Sequence, residues 1–354
     1  MFNELPKNSD EFYAMVLTES INALKINTYF DNFDRDRFNF DGKDHSRDFK
    51  ARERAIYFDW FFNNRVELFN AYYILGDNYS RNLYLHLIAF RLAGHHSVKL
   101  PLEWNAETSK YEEFLIAQGS PIQSDLKNEG MFGGLKHYDF KLNDQRYIVD
   151  CTGGLEYYLF RKQYFYSRSG VVIEPELGDY VIDAGACMGD ATLVFSNAVG
   201  SDGKVFAFDP VSEHLDILNY NIMNFPIKNV IAVPCGLSNH DVVCEPLIIN
   251  GYNPGFRLNN NQVPLCLIDS FVVNNGISKI DFIKMDIEGS EMDALIGGNN
   301  SINRFRPKMA ISLYHKPNDI FEIINYIKMN FPFYQLYIDH YTIHQEETVL
   351  YCSQ

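Results

Sequence analysis

One octapeptide limits what this chain can fold into more than any other stretch: Asp183-Ala184-Gly185-Ala186-Cys187-Met188-Gly189-Asp190. The segment before it, YVI, is apolar and β-prone, and the segment after it, ATLVFSNAV, has helical spacing. A glycine at 185 permits a sharp strand-to-helix turn and close backbone approach, and one at 189 lets the helix start pack tightly. The pattern is neither the GxGxxG of dinucleotide binders nor a phosphate loop with its Lys and Ser/Thr. A ligand without a pyrophosphate is the expectation.

From about Gly178 onward the chain keeps a regular rhythm. YVIDAG reads as a strand, Gly189 to Val199 as a helix, KVFAFDP as a second strand, HLDILNYNIMNF as a helix and NVIAVPCGLS as a third strand. DFIKMDIEG, a helix from about Ser290 to Asn300, and KMAISLYH follow. Strands alternating with helices of this length imply parallel βαβ units, and their near-continuous apolar character implies a sheet covered on both faces. YQLYIDHY and ETVLYCS have only the short polar segment TIHQE between them, so they can pair only as an antiparallel hairpin. The fold class expected is therefore α/β: a doubly wound, mostly parallel, seven-stranded Rossmann-like sheet closed by an antiparallel C-terminal hairpin, with an N-terminal helical and mixed extension. The expected division is 1–165 as a helical, loop-rich cap or oligomerisation region and 166–354 as the sheet domain.

The turn and its neighbours suit S-adenosylmethionine, which has a cationic sulfonium and amino group and no pyrophosphate. Asp183 at a strand end, with exposed backbone amides at Gly185, Ala186, Cys187 and Gly189 and with Asp190 opening the helix, fits its methionine portion. Asp209 ends the next strand, placed to accept hydrogen bonds from ribose hydroxyls. Gly236 and Ser238, at the end of the third strand, fall near where an adenine edge would lie.

VIDAGACMGD, VFAFDP, LIDSF, IDFIKMDIEGSE and KMAISLYHKPNDIFEI, in this order, resemble the FkbM family of S-adenosylmethionine-dependent methyltransferases. IDFIKMDIEGSE is the most specific of them, and the resemblance runs from about Gln163 to the C-terminus. It implies an O-methyltransferase acting on hydroxyls of sugars, polyketides or glycans. The acceptor expected is a sugar hydroxyl of a glycan or of its nucleotide-linked precursor.

In an open α/β sheet, ligands bind beyond the carboxyl ends of the strands. Asp286 and Glu288 lie at the end of the fourth core strand and His315 at the end of the fifth, so the three are the expected catalytic residues. His315 is the natural general base, with an ordinary pKa of about 6.5. Asp286 and Glu288 are hard oxygen ligands that would also suit Mg²⁺, but a histidine where a second carboxylate is wanted makes magnesium the less favoured reading. Glu288 alternatively caps the helix near Ser290. Lys284, two residues before Asp286 in a strand that reads as buried, requires a partner. Asp269 either contacts substrate or caps a helix, and Tyr164 and Tyr166 either close over the cofactor or simply pack.

The N-terminal half has a different grammar, with two aromatic-rich helical stretches, AIYFDWFFNNRVELFNAYYIL and NLYLHLIAFRLAG, and short strand-like segments YDFKL and RYIVD. It would shape the acceptor pocket or mediate a homodimer. His86, His95 and His96 read as surface or packing histidines, for no acidic cluster completes a metal site. With Lys+Arg 31 against Asp+Glu 46, the net charge of −15 repels phosphate backbones, which excludes nucleic acid as the expected substrate. None of the six cysteines forms a CxxC pair, so free thiols in a reducing compartment are expected. No apolar stretch is long enough to span a bilayer, and a cytoplasmic location follows as the expectation. A methyltransferase acting on amines, RNA or another metabolite, a non-catalytic S-adenosylmethionine-binding assembly subunit, and a dehydrogenase are the rivals. The MDIE strand end and the lack of GxGxxG weigh against the first and last.

Overall fold

A computed structural model describes residues 5–23, 47–94, 97–100, 122–126, 134–142, 144–168, 170–246, 262–343 and 345–354. His95, His96, Pro101, Pro121, Gly130 and Gly133 lie outside the described residues. The chain divides into two compact units, Met1–Trp104 with Lys316–Leu350, and Asn105–His315 with Tyr351–Gln354. These units are cut elsewhere than between 165 and 166.

In the first unit, helices Ser9–Ala23, Arg47–Asn63, Arg65–Ile74 and Asn78–Ala93 gather round an aromatic core containing Phe12, Phe61 and Tyr72. The aromatic stretch expected as one helix is broken at Asn64, whose side-chain amide donates to Trp60 O (2.7 Å). Asp77 caps the next helix by accepting from Ser80 N, and Gly94 ends it at φ 83°.

The second unit holds the parallel strands that frame the site. Tyr180–Ala184, Lys204–Phe208, Val230–Val233, Phe282–Met285 and Lys308–Ser312 are the first to fifth core strands. The full sheet has seven strands, in the order Gln335–His340, Thr348–Ser353, fifth, fourth, first, second, third. The fourth strand is buried along its whole length and the first, second and fifth at all but their leading residue. That is the burial a sheet covered on both faces demands. The order reverses direction at the first strand, so its neighbours, the second and fourth, open a crevice above its carboxyl end.

The stretch read as a third strand, NVIAVPCGLS, splits in two. The chain leaves the main sheet after Val233, and Gly236–Leu237 pairs in parallel with Leu265 and Cys266 in a separate small sheet. Pro234 supplies no ladder N–H, so the strand cannot simply continue. This register brings Cys235 against Cys266, Cα atoms 6.5 Å apart, and the two form a disulfide. The expectation that every thiol is free is corrected there; Cys187 and Cys352 remain free thiols. No described helix is long and apolar enough to cross a membrane.

A hairpin, Lys136–Leu142 with Gln145–Cys151, belongs to this unit too. Tyr138, Phe140, Tyr147 and Val149 from it pack with Leu193, Val194 and Ile217 of the two helices that follow the first and second core strands. Asn221 ties the hairpin to the glycine turn, donating to both Asp150 O (2.9 Å) and Met188 O (2.7 Å).

Candidate active site at the strand ends

Gly185 sits at φ 80°, and a Cβ there would lie 1.9 Å from Asp286 O. The ends of the first and fourth strands approach so closely that only hydrogen fits. Gly189, at φ 88°, starts the helix Asp190–Val199, and a Cβ on it would meet Leu218 Cδ1 at 2.7 Å. Between them, Cys187 is held at φ 48° and donates its amide to Asp209 Oδ2 (2.9 Å). The other Asp209 oxygen accepts from Val211 N (2.9 Å) and faces His214 Nδ1 (3.0 Å). Asp209 thus braces the turn from the end of the second strand.

Asp183 is placed differently from expectation. It is fully buried, paired with Lys284 Nζ across the strand register (3.1 Å), and accepts from Thr192 Oγ1 (2.6 Å). Lys284 also donates to Gly185 O (2.8 Å) and Ala184 O (3.1 Å), so the pair holds the turn from beneath. Burial works against the lysine's charge, but Asp183, then Asp286, raise its pKa above the ordinary value. Asp190 lies in the first turn of the helix, accepting from Ala191 N (3.0 Å), and burial pushes its carboxyl up to about 6. Ala186 is buried. Gly236 rests beside Pro210, whose Cγ would be 3.5 Å from its Cβ. Ser238 is buried against Gly297 and donates its amide to Cys266 O (3.0 Å). Gly236 therefore sits in the small sheet and Ser238 directly after it, neither of them on a core strand.

Asp286, Glu288 and His315 do converge. His315 Nε2 is 3.2 Å from Asp286 Oδ1 and 3.8 Å from Glu288 Oε2. Its Nδ1 is 2.9 Å from Oε1 of Glu291, a residue sequence reasoning passed over. Glu291 is fully buried and also accepts from Ile287 N (2.8 Å), which fixes the turn between strand and helix. An acid in the first turn of a helix reads from sequence as a dipole partner; only its burial reveals the histidine contact. Two hydroxyls complete the cluster, Tyr164 donating to Asp286 Oδ2 (2.7 Å) and Tyr314 to Asp286 Oδ1 (2.9 Å). Asp269 caps the helix Asn299–Phe305 by accepting from Asn300 N and Ser301 N, so it is a structural cap.

Burial alone would push the His315 ring down, yet Glu291 first and Asp286 next hold its pKa well above 6.5. Burial would push the Asp286 carboxyl up, yet His315, Lys284 and Tyr164 keep it well below the usual carboxylate range. His315 is thus set among carboxylates that favour its charged form. Asp286, Glu291 and His315 offer ligand atoms within 4.8 Å of one another, two carboxylates and an imidazole that together form a candidate cation-binding set. Cys187, Glu288 (φ 54°) and Tyr164 (φ 71°) are non-glycine residues held in the left-handed region, and all three border this crevice. Such strain gathers where surrounding structure over-determines a functional geometry.

Replacing Glu291 with Gln removes the largest source of the raised His315 pKa. The imidazole titration, followed by nuclear magnetic resonance, moves down toward 6.5 in the variant. The raised folded pKa stabilises the wild type fully below about 6.5 and is lost as pH rises through the folded value. The gap in stability between wild type and variant therefore narrows with rising pH. A titration midpoint unmoved by the substitution contradicts the assignment.

Residues 183–335 match the family model described as the methyltransferase FkbM domain. The crystal structure of methyltransferase FkbM from Methylobacillus flagellatus matches with a TM-score of 0.53 at 20% identity, over 83% of this chain and 60% of that one. This chain thus spans 60% of that protein's length. Fibrillarin from Aeropyrum pernix, solved with natively bound S-adenosyl-L-methionine, is more distant, with a TM-score of 0.34 at 11% identity over 67% of this chain and 99% of that one. A SAM-dependent methyltransferase from Aquifex aeolicus has a TM-score of 0.31 at 16% identity, over 50% of this chain and 82% of that one. No curated protein matches the sequence.

Proposed function

We propose that this chain transfers the methyl group of S-adenosylmethionine to an oxygen, the hydroxyl of a sugar in a glycan or its nucleotide-linked precursor. The observation that carries the reading is the convergence of His315, Asp286, Glu288 and Glu291 at the strand ends next to the glycine turn. S-adenosylmethionine supplies a methyl group already activated by a sulfonium leaving group. The turn from Gly185 to Gly189, with Asp190 and Asp209, fits that ligand through its amides and acids. The remaining Asp209 Oδ2 lone pair is suited to a ribose hydroxyl.

Alignment of the attacking oxygen supplies most of the acceleration in such a displacement. The hydroxyl must also lose its proton. Glu291 and Asp286 favour the charged form of His315, which suits it to orient the acceptor and stabilise charge, and the proton goes to Glu288, since the Asp286 carboxyl is held well below the usual carboxylate range. The MDIE strand end supports oxygen over nitrogen as the acceptor, and the sugar class is the one the family resemblance implies.

Titration calorimetry with S-adenosylhomocysteine tests the cofactor half. Micromolar binding by the wild type and at least about tenfold weaker binding by Asp209→Ala are expected, since charged hydrogen bonds are lost. Folded wild type that binds nothing sinks the reading. Transfer of labelled methyl to a panel of glycosides and nucleotide sugars, with and without a chelator, then tests the acceptor and any need for a divalent cation at Asp286, Glu291 and His315.

A further inference from the structure

Tyr164 lies outside the 183–335 stretch that matches the family model, yet it touches both halves of the site. It is 1% exposed, and its hydroxyl donates to Asp286 Oδ2 at 2.7 Å. The direction of that bond is set from behind, because the buried Gln163 amide donates to the same hydroxyl oxygen (3.2 Å). The proton is left to point at the carboxylate. The ring does a second job: the Lys284 ammonium lies 5.3 Å from its centroid, a cation–π distance. Lys284 is the group that pairs with Asp183 and holds Gly185 O in the glycine turn.

The backbone here is under constraint. Tyr164 sits at φ 71°, in the left-handed region that favours glycine. It is kept there by Tyr351, whose hydroxyl accepts from Tyr164 N (3.0 Å), and by the parallel ring of Tyr158, 6.0 Å away. A purely space-filling tyrosine has no need of a left-handed backbone, a directed hydroxyl and a buried ammonium on its face. All three are met at one residue.

We propose that Tyr164 is a positioning residue that fixes Asp286 with its hydroxyl and Lys284 with its ring, setting the acceptor side and the cofactor turn through one side chain. The acceptor side of this inference rests on the methyltransferase reading above. Tyr164→Phe keeps the ring and deletes the hydroxyl; Tyr164→Leu deletes both.

The two variants separate the two roles. Tyr164→Phe binds S-adenosylhomocysteine within about twofold of wild type and keeps the acceptor KM, while kcat falls about tenfold, the loss expected of one charge-assisted hydrogen bond. Tyr164→Leu in addition binds S-adenosylhomocysteine roughly threefold or more weakly, for the cation–π contact is gone. Tyr164→Phe also shifts the His315 imidazole signals in the nuclear magnetic resonance spectrum, because His315 and Tyr164 share Asp286. A Tyr164→Phe protein with unchanged kcat and unchanged imidazole signals overturns the hydroxyl role. Tyr164→Leu, folded and binding as tightly as wild type, overturns the ring role. Wild type that methylates nothing on the panel is the failure of the methyltransferase reading alone, since the binding and imidazole readouts decide the Tyr164 roles without an acceptor. Where Tyr164→Leu does not fold, the conservative Tyr164→Trp takes its place, retaining an aromatic face and with it the affinity; loss of affinity there overturns the ring role.

Discussion

Gly185→Ala abolishes S-adenosylhomocysteine binding and costs about 2–5 kcal/mol of stability, the sum of a left-handed alanine and an overpacked strand end. Two penalties coincide at this position. The backbone is at φ 80°, and the added methyl would sit 1.9 Å from the Asp286 carbonyl oxygen. Nothing flexible stands there to move aside; the obstacle is the main chain of the fourth strand. Relief requires the ends of the first and fourth strands to part, which disturbs Asp286 on one side and the Lys284 contact to Gly185 O on the other. Gly170→Ala is the control. Its φ is 82°, but nothing lies within 4 Å of the added Cβ, so only the conformational cost of about 1 kcal/mol remains. Urea denaturation of both variants, with calorimetric titration of the ligand, checks the contrast. Equal losses for the two would mean that the close approach at Gly185 carries no weight.

Lys284→Met destabilises the protein by about 3–5 kcal/mol, because it strips the partner from a fully buried carboxylate. Lys284 is 2% exposed and Asp183 is 0% exposed, so neither charge has water to fall back on. Gly185 O loses its lysine donor at the same time, while Ala184 O keeps the amide of Asp286. Adding Asp183→Asn to Lys284→Met recovers part of the loss, since a neutral amide is cheaper to bury than an unpaired carboxylate and can still accept from Thr192 Oγ1. Denaturation of the single and double variants measures it. A double variant less stable than Lys284→Met would contradict the account. The sequence pointed to a partner for Lys284 from the apolar strand around it; the partner's identity came from the register that sets Lys284 opposite Asp183.

The strands most legible in the sequence were those whose burial is settled locally. YVIDA, KVFAF, FIKM and KMAIS are short apolar runs bounded by turn residues, and each is a core strand. NVIAVPCGLS has the same local character but is two strands in two sheets, since a proline and a disulfide partner far along the chain decide where it leaves. The aromatic stretch from Ala55 to Leu75 has helical spacing throughout, and the break at Asn64 comes from a side-chain hydrogen bond that periodicity does not register.

The site divides in the same way. Gly185, Gly189, Asp209, Asp286, Glu288 and His315 could be picked out because a strand-end turn, or the tip of a parallel strand, fixes where a residue faces regardless of its remote neighbours. The sequence by itself determined the doubly wound order, the terminal hairpin, the glycine turn and the acids at the strand tips, all properties of chain segments. Only the tertiary structure decided that Asp183 turns inward to Lys284, that Glu291 reaches His315, and that Tyr164, from outside the family-matched stretch, reaches Asp286. The direction of a pKa followed from those contacts too: Glu291 and Asp286 hold the His315 imidazole above its ordinary range, because a pKa depends on burial and on charges a few ångströms away, wherever they lie along the chain.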